Sequence, residues 1–335
     1  MHTHEIFMKR CLQLAQNGLG TTYPNPLVGS VIVDNKGLII GEGWHYQAGT
    51  PHAEVMAVRD AESKGVTHFN EATIYVNLEP CSHTGKTPPC ASLLIEKGFS
   101  KVIIGTLDPH EKVAGKGVAM LEKVGIECTV GVLEKECNEL NKRFFTYHKK
   151  RRPYIILKWA ETADGFIAPH HKNEIAPVWI TNSYSQQRSH KLRANEQAIL
   201  VGGKTVLDDN PSLTCRSWYG RQPLRFVLDS KNNLDSSAAV FNDVTITQCL
   251  HFHSNQVKEI VDVLYTKGVQ SIIIEGGFKT IQNFIDQSMW DEAYQFMGVE
   301  VLFHKGIAAP QLKGDYHLLN RENIQNDVLK IYKRG

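Results

Sequence analysis

Two short motifs in the first half of the chain combine residue types that can hold a metal ion. The first is His-Ala-Glu at positions 52–54, and the second is a Pro-Cys at 80–81 followed by another Pro-Cys at 89–90. One histidine and two cysteines suit zinc, and three protein ligands leave the fourth tetrahedral position for water, as in catalytic sites. We therefore expect His52, Cys81 and Cys90 to bind a zinc ion that lowers the pKa of a bound water toward about 7.

A proton carrier lies beside the first of these ligands. Glu54 follows His52 by two residues, so on the first turn of a helix it can lie next to the metal without binding it. A His-x-Glu motif followed by Pro-Cys is the signature of zinc deaminases, which attack an amino-bearing ring carbon. We predict that Glu54 is the catalytic acid and base. A purely structural zinc site is the alternative that the pattern leaves open.

The surrounding segments predict elements that could position these residues. Met8, Cys11, Leu12 and Ala15 share one face of a helix. Further helices are predicted at 52–63, 90–97 and 117–123, and strands at 27–33, 38–41, 72–78, 101–105 and 126–130. Alternating strands and helices indicate an α/β sheet that helices cover on both faces. The zinc ligands would then lie at helix starts that follow strands, where the helix dipole favours thiolate.

A basic run at 148–153, closed by Pro153, marks a change of composition. We interpret it as a solvated linker between two domains, 1–148 and 149–335. In the second domain, strands are predicted at 154–159, 198–201, 224–228, 244–250 and 271–275. The Gly-Gly pairs at 202–203 and 276–277 lie between a strand and a helix, where backbone N–H groups can bind phosphate. The first pair is not a triphosphate-binding loop, because Ala198 occupies the position of its first glycine.

The composition is that of a globular enzyme with about two domains. Of the 335 residues, 42% are hydrophobic and 21% charged, and the net charge is +2, which argues against a dedicated binder of nucleic acid or of a membrane surface. Seven cysteines spread over such a chain indicate a reducing compartment. The N-terminus lacks the apolar core of a signal peptide, so we expect a cytoplasmic protein. We also expect a homo-oligomer, either a dimer or a tetramer.

The first half resembles the cytidine-deaminase-like superfamily, a three-layer α/β/α fold. Eight residues separate the two cysteines, and the resulting loop, PCSHTGKTPPC, is similar to that of the pyrimidine deaminases of riboflavin biosynthesis. The segments YPNPLVG at 23–29, GEGWH at 41–45 and VAGKG at 113–117 fit the same branch, whereas His-Glu replaces the usual Asn-Pro at 110–111. The resemblance implies that four residues contact the substrate: Asn25, His45, Lys86 and Asp108.

The second half resembles the NADPH-dependent reductase domain of riboflavin biosynthesis, which has a dihydrofolate-reductase-like α/β fold. The motifs KWAETADG at 158–165, VGGKTVLDDNP at 201–211 and EGG at 275–277 occur in the order of that domain, although Thr162 and Pro177 replace two serines. The resemblance implies six cofactor-binding residues: Ala160, Trp179, Thr205, Asp209, Ser230 and Gly277. It implies four substrate-binding residues: Arg193, Leu213, Arg216 and Glu275.

The two resemblances together imply a bifunctional enzyme that requires one Zn²⁺ ion per chain and NADPH. It would deaminate 2,5-diamino-6-(5-phosphoribosylamino)pyrimidin-4(3H)-one and then reduce the ribosyl group of 5-amino-6-(5-phosphoribosylamino)uracil to a ribityl chain. Its partner would be this small phosphorylated pyrimidine, with no nucleic acid and no membrane. An alternative is a zinc deaminase of another nucleobase that is fused to a non-catalytic nucleotide-binding domain.

Overall fold

The computed structural model describes residues 2–82, 88–110, 113–242 and 247–335. The chain forms two compact units, Met1–Arg151 and Arg152–Gly335. The first unit contains a sheet with helices on both sides. Its elements, within the described residues, are α1 (His2–Gln16), β1 (Gly29–Val33), β2 (Ile39–Trp44), α2 (Ala53–Ser63), β3 (Thr73–Val76), α3 (Cys90–Glu96), β4 (Lys101–Ile104), α4 (Lys116–Glu122), β5 (Glu127–Val130), α5 (Glu134–Leu140) and α6 (Lys142–Lys150).

The five strands of this sheet lie in the order β2-β1-β3-β4-β5. β1 is antiparallel to β2 and β3, while β3, β4 and β5 are parallel. Successive side chains of a strand point to opposite faces, and both faces are apolar here. Ile32 packs in the core beneath α2, α3 and α4, whereas Val31 packs against α1 and α5. The three-layer α/β/α arrangement predicted for this unit is therefore confirmed.

Only the second half of the basic run at 148–153 lies between secondary-structure elements, so the linker is shorter than the one that we predicted. Helix α6 continues to Lys150, so the first three residues of the run form its last turn. The helix is held in place by its buried residues Phe144 and Phe145. The Lys149 ammonium lies over the Phe145 ring, 4.9 Å from its centroid, and positive charge is favourable at a helix C-terminus. The boundary between the two units in the sequence lies directly after α6, between Arg151 and Arg152.

The second unit is built on a larger sheet. Its elements, within the described residues, are β6 (Tyr154–Thr162), β7 (Phe166–Pro169), α7 (Ser183–Asn195), β8 (Ala198–Gly202), α8 (Gly203–Asp209), β9 (Leu224–Leu228), a 3₁₀ turn (Ala239–Phe241), β10 (Thr247–Leu250), α9 (Val257–Thr266), β11 (Ser271–Gly276), α10 (Phe278–Asp286), β12 (Glu292–Gly298), β13 (Gly306–Ala308), β14 (Tyr316–Ile324) and β15 (Asp327–Arg334). Eight strands form the order β10-β9-β8-β11-β6-β12-β15-β14.

The first six strands of this order are parallel, and β15 returns antiparallel to β12. The carboxyl ends of β8, β11 and β6 therefore lie side by side at one edge of the sheet, where ligands bind in open α/β sheets. The predicted strand at 244–250 begins at Thr247, since 243–246 lie outside the described residues. The sequence reasoning missed β7, β12, β13 and the final hairpin, β14–β15.

Candidate active sites in the two units

Three side chains from separate parts of the first unit converge at one point. His52 directly precedes α2, Cys90 is the first residue of α3, and Cys81 lies in the loop after β3 rather than on a helix. The His52 Nδ1 atom is 3.3 Å from Cys90 Sγ and 3.7 Å from Cys81 Sγ. Their ligand atoms all lie within 4.8 Å of one another, and this is the one such group found among the described residues.

These distances fit zinc. Bonds of about 2.3 Å to sulfur and about 2.05 Å to nitrogen, set at a tetrahedral angle, separate the two donor atoms by about 3.6 Å. The observed separations of 3.3 and 3.7 Å lie on either side of that value. A histidine with two cysteines is also a donor set that zinc prefers. The residues present are therefore able to hold the ion that the sequence predicted.

The local electrostatics favour a thiolate at Cys81. Hydrogen bonds from Cys90 and from His52 lower the pKa of the Cys81 thiol to about 4, although burial opposes the shift. The Cys90 backbone N–H also donates to Cys81 Sγ, at 3.3 Å. The pKa of the Cys90 thiol is raised, because Cys90 is hydrogen-bonded to Cys81 and is itself buried. The thiolate form, which is the form that binds a metal ion, is thus favoured at Cys81.

Glu54 lies next to this cluster on the first turn of α2 and is 3% exposed. Burial and, to a smaller extent, the nearby Cys81 raise the pKa of its carboxyl to about 7, although His52 opposes the shift. A carboxyl whose pKa is near neutrality can both accept and release a proton at physiological pH. The structure therefore brings the predicted acid and base together with the three predicted ligands.

Two of the four predicted deaminase substrate residues are in contact beside the cluster. Asn25 Nδ2 is 3.0 Å from His45 Nε2, and the His45 ring centroid is 5.3 Å from that of His52. His45 Nδ1 lies 3.1 Å from the Pro51 carbonyl oxygen, so we assign its proton to Nδ1 and leave Nε2 to accept from Asn25. Burial lowers the pKa of His45. Asp108 follows β4, whereas Lys86 lies outside the described residues.

In the second unit, the two glycine-rich turns are in direct contact. Thr205, on α8, accepts a hydrogen bond through Oγ1 from the Gly277 N–H, at 2.9 Å. A Cβ atom added at Gly276 would lie 3.0 Å from Thr205, and one at Gly277 would lie 3.2 Å from it, so side chains there would crowd the contact. The turns follow the adjacent parallel strands β8 and β11. Two of the predicted cofactor residues are therefore coupled.

A largely buried ionic cluster lies near the same sheet edge. Glu275, on β11, accepts hydrogen bonds from Arg193 Nε at 3.0 Å and from Lys158 Nζ at 2.8 Å, and Arg193 also donates to the Thr214 carbonyl. Burial by itself would raise the pKa of Glu275, but the two cations outweigh it and lower the pKa to about 2. Arg193 and Glu275 were predicted as substrate residues. Lys158 was missed, although a single lysine in the apolar segment YIILKW was a usable signal.

The remaining predicted reductase residues are spread over neighbouring segments. Asp209, at the end of α8, pairs with Lys172. His190 Nδ1 accepts a hydrogen bond from the Arg216 backbone N–H at 3.1 Å. Leu213 is buried at a positive φ of 55°. The other three are Ala160 on β6, the exposed Trp179, and Ser230, which is exposed two residues after β9.

No helix in the described part of the chain combines the length and the apolar character needed to cross a membrane. This finding agrees with the low mean hydropathy of −0.27.

Comparisons with known proteins agree with both halves of the sequence reasoning. Residues 1–106 match the family model of the cytidine and deoxycytidylate deaminase zinc-binding region, and residues 153–302 match the RibD C-terminal domain. The riboflavin biosynthesis protein RibD of Aquifex aeolicus is 40% identical over 98% of both chains. A deaminase/reductase structure from Thermotoga maritima has a TM-score of 0.90 and 38% identity, and covers 100% of this chain and 99% of its own.

A second solved structure, RibD of Acinetobacter baumannii, has a TM-score of 0.88 and 30% identity, with 100% of this chain and 99% of its own chain covered. These similarities confirm the predicted folds, a cytidine-deaminase-like domain followed by a dihydrofolate-reductase-like domain, and the predicted cofactors, zinc and NADPH. They support the bifunctional interpretation and not the alternative of a non-catalytic second domain. The chain belongs to the RibD family, the bifunctional deaminase–reductases of riboflavin biosynthesis.

Proposed function

We propose that the first unit deaminates 2,5-diamino-6-(5-phosphoribosylamino)pyrimidin-4(3H)-one and that the second unit reduces 5-amino-6-(5-phosphoribosylamino)uracil to its ribityl form. The observation that carries the first assignment is the convergence of His52, Cys81 and Cys90 beside the buried Glu54. The substrates are those named for the Thermotoga maritima relative, which is a diaminohydroxyphosphoribosylaminopyrimidine deaminase and a 5-amino-6-(5-phosphoribosylamino)uracil reductase.

In the deaminase, His52, Cys81 and Cys90 are the proposed ligands. Zinc bound there would supply a water of lowered pKa for attack on the amino-bearing carbon. Glu54 takes one proton of that water and passes it to the ring nitrogen, then takes the second proton and passes it to the amino group, which leaves as ammonia. Burial of the carboxyl keeps bulk water away from this transfer.

The remaining proposed deaminase residues hold the substrate. The neutral His45 and the amide of Asn25 offer hydrogen bonds to a polar ring edge. We propose that Asp108 and Lys86 contact the ribosyl phosphate portion of the substrate. The ammonium of Lys86 can form a charge-assisted hydrogen bond with the phosphate.

In the reductase, we propose that the two glycine-rich turns hold the cofactor. NADPH supplies the hydride that reduces C1′ of the opened ribosyl group. The contact between Thr205 and Gly277 holds the two turns together at the helix starts that follow β8 and β11, and the other backbone N–H groups of these helix starts suit phosphate binding. The other proposed cofactor residues are Ala160, Trp179, Asp209 and Ser230.

The proposed reductase substrate residues are Arg193, Leu213, Arg216 and Glu275, to which the structure adds Lys158. Since Arg193 is already bound to Glu275 and to the Thr214 carbonyl, the exposed Arg216 is the better partner for the substrate phosphate. Glu275 pairs with both Lys158 and Arg193 and offsets part of their positive charge. The two cations can therefore lie close together beside one polar substrate.

Mass spectrometry of the product tests both assignments at once. The zinc-loaded protein is incubated with the diaminopyrimidinone ribotide, with and without NADPH. We expect exchange of one amino group for oxygen without NADPH, and the addition of two hydrogens as well when NADPH is present. A substrate that stays unchanged contradicts the first assignment, and a product that is deaminated but never reduced contradicts the second.

We further propose a homo-oligomer that acts on this small molecule without a nucleic-acid or membrane partner. The edge strand β14 carries three exposed apolar residues, Tyr316, Leu318 and Leu319, and apolar edge strands favour pairing with another chain. Light scattering coupled to size exclusion measures the assembly state, and a mass of one chain contradicts the proposal. We place the protein in the cytoplasm, where Cys81 and Cys90 stay reduced and able to bind zinc.

A further inference from the structure

Glu79 is a buried carboxylate that the proposed chemistry does not use. It lies three residues after β3 and two before Cys81, and it is 4% exposed. Its two oxygens accept four backbone hydrogen bonds from one distant segment. The donors are the N–H groups of Asp108 (3.1 Å), Gly115 (3.0 Å), Gly117 (2.8 Å) and Val118 (3.4 Å).

These donors lie in the connection between β4 and α4 and in the first turn of α4. Asp108 is the fourth residue of that connection, and Gly115 is its last, at a positive φ of 75° directly before α4. The segment also packs tightly against the backbone beside Glu79, since a Cβ atom at Gly117 would lie 2.1 Å from the Pro80 carbonyl oxygen. One carboxylate thus fixes Asp108 and the α4 end of this Asp108 connection against residues 79 and 80.

The same short segment carries a proposed zinc ligand. Cys81 follows Pro80, so the position of the Asp108 connection relative to the zinc site is set through Glu79. We propose that Glu79 is a positioning residue of the deaminase, which holds Asp108 at the distance from Cys81 that the pyrimidine nucleotide requires. The inference rests on the proposed function, in which Asp108 contacts that substrate.

A carboxylate is the side chain that suits this position. An ionised Glu offers two acceptor oxygens and no donor, which matches four N–H groups. Gln has nearly the same shape, but its amide nitrogen would face two of those N–H groups as a donor against donors. In Glu79→Gln, the amide nitrogen therefore repels part of the connection, but no cavity opens. Glu79→Asp keeps the carboxylate on a side chain that is one methylene shorter.

Kinetics of Glu79→Gln in the full-length, zinc-loaded protein test the inference. We expect the deaminase KM to rise by about tenfold or more, as for other residues that orient a site from behind it. We expect kcat to change by less than about threefold, because Glu54 and the zinc ligands are left in place. Zinc content and reductase activity should stay at wild-type values. Hydrogen exchange should accelerate at the Gly115 and Gly117 amides, and Glu79→Asp should give an intermediate KM.

The matched control is Glu127→Gln, which removes an exposed carboxylate on β5 that pairs with Lys101. It should leave both activities unchanged. An unchanged KM in Glu79→Gln overturns the inference, and so does a joint loss of zinc, kcat and thermal stability, which would make the residue structural. Wild-type turnover is measured first. If the wild-type protein does not deaminate the ribotide, the proposed function fails; if it does and KM in Glu79→Gln is unchanged, only the role of Glu79 fails.

Discussion

At the scale of single residues, the proposed deaminase site depends on side chains whose chemistry is set by their immediate neighbours. The pKa of the Cys81 thiol is lowered because Cys90 and His52 form hydrogen bonds with it. The pKa of Glu54 is raised because its carboxyl is buried beside the Cys81 sulfur. The identity of these residues could be predicted from the sequence, since the motif types and their order are specific. Their pKa values depend on burial and on distances of 3 to 4 Å, which the sequence does not contain.

Replacing Glu54 with Gln should lower the deaminase kcat by a factor of about 10² to 10⁴, the usual contribution of a general acid and base. The amide keeps the shape of the side chain but cannot carry the proton. Zinc content, measured by plasma mass spectrometry, and NADPH-dependent reduction should be unchanged. Glu62→Gln, an exposed position on the same helix, is the control. Ammonia release at the wild-type rate from Glu54→Gln would contradict the assigned role.

At the scale of elements, the proposed reductase site is assembled from neighbouring parallel strands and the helices between them. Lys158 on β6, Glu275 on β11 and Arg193 on α7 are far apart in the sequence and meet through hydrogen bonds of 2.8 to 3.0 Å. Strand positions could largely be predicted from apolar runs. The final hairpin was missed because its two-residue turn, Gln325-Asn326, contains none of the glycines that usually mark such a turn.

Replacing Glu275 with Gln should destabilise the second unit by about 3–5 kcal/mol, since it leaves two buried cations without their counter-charge. Urea unfolding followed by tryptophan fluorescence measures the change, because four of the five tryptophans lie in this unit: Trp159, Trp179, Trp218 and Trp290. A variant as stable as wild type at pH 7 would contradict the expected coupling.

The difference in unfolding free energy between wild type and Glu275→Gln depends on pH. The pKa of Glu275 in the folded protein is about 2, below the value of about 4.3 for an unfolded chain. The unfolded state therefore binds the proton first as the pH falls. The stabilisation by the ionised carboxylate is fully present above the unfolded pKa, and is lost as the pH falls toward the folded pKa. The stability difference between wild type and Glu275→Gln should shrink over that range.

The contact between the two glycine-rich turns is also testable. Thr205→Val keeps the shape of the side chain but removes the acceptor of the Gly277 N–H, which loosens both turns. A loss of about 1 kcal/mol per hydrogen bond corresponds to a rise in the Kd for NADPH of about five- to tenfold. Fluorescence titration with NADPH measures it. Thr205→Ser retains the hydroxyl and should bind with wild-type affinity, and equal affinity in Thr205→Val would count against the coupling.

At the scale of the whole molecule, the chain consists of two compact units, each with its own sheet and core. The first contains the proposed zinc ligands, and the second contains the proposed NADPH residues. The order of the two units could be predicted from the order of the motifs. The unit boundary follows α6, because Phe144 and Phe145 pack that helix into the core of the first unit. The basic last turn of α6 therefore belongs to the first unit as well.

Removal of zinc should separate the two activities. A strong chelator should abolish deamination of the ribotide but leave NADPH-dependent reduction of the deaminated intermediate within about twofold, because structural or catalytic zinc stabilises only the unit that binds it. NADPH oxidation is followed by absorbance, and deamination should return when zinc is added back. Parallel loss of both activities on chelation would contradict the independence of the two units.

The sequence by itself determined the fold classes, the order of the units, the family and the residues that could hold zinc. These follow from residue types, spacing and apolar periodicity, which are local properties of the chain. Only the tertiary structure decided how distant residues combine. It joined Lys158 to Glu275, Thr205 to Gly277 and Glu79 to the Asp108 connection. The physical reason is that buried polar groups must find hydrogen-bond partners, and those partners are chosen by strand order and helix packing rather than by neighbours in the sequence.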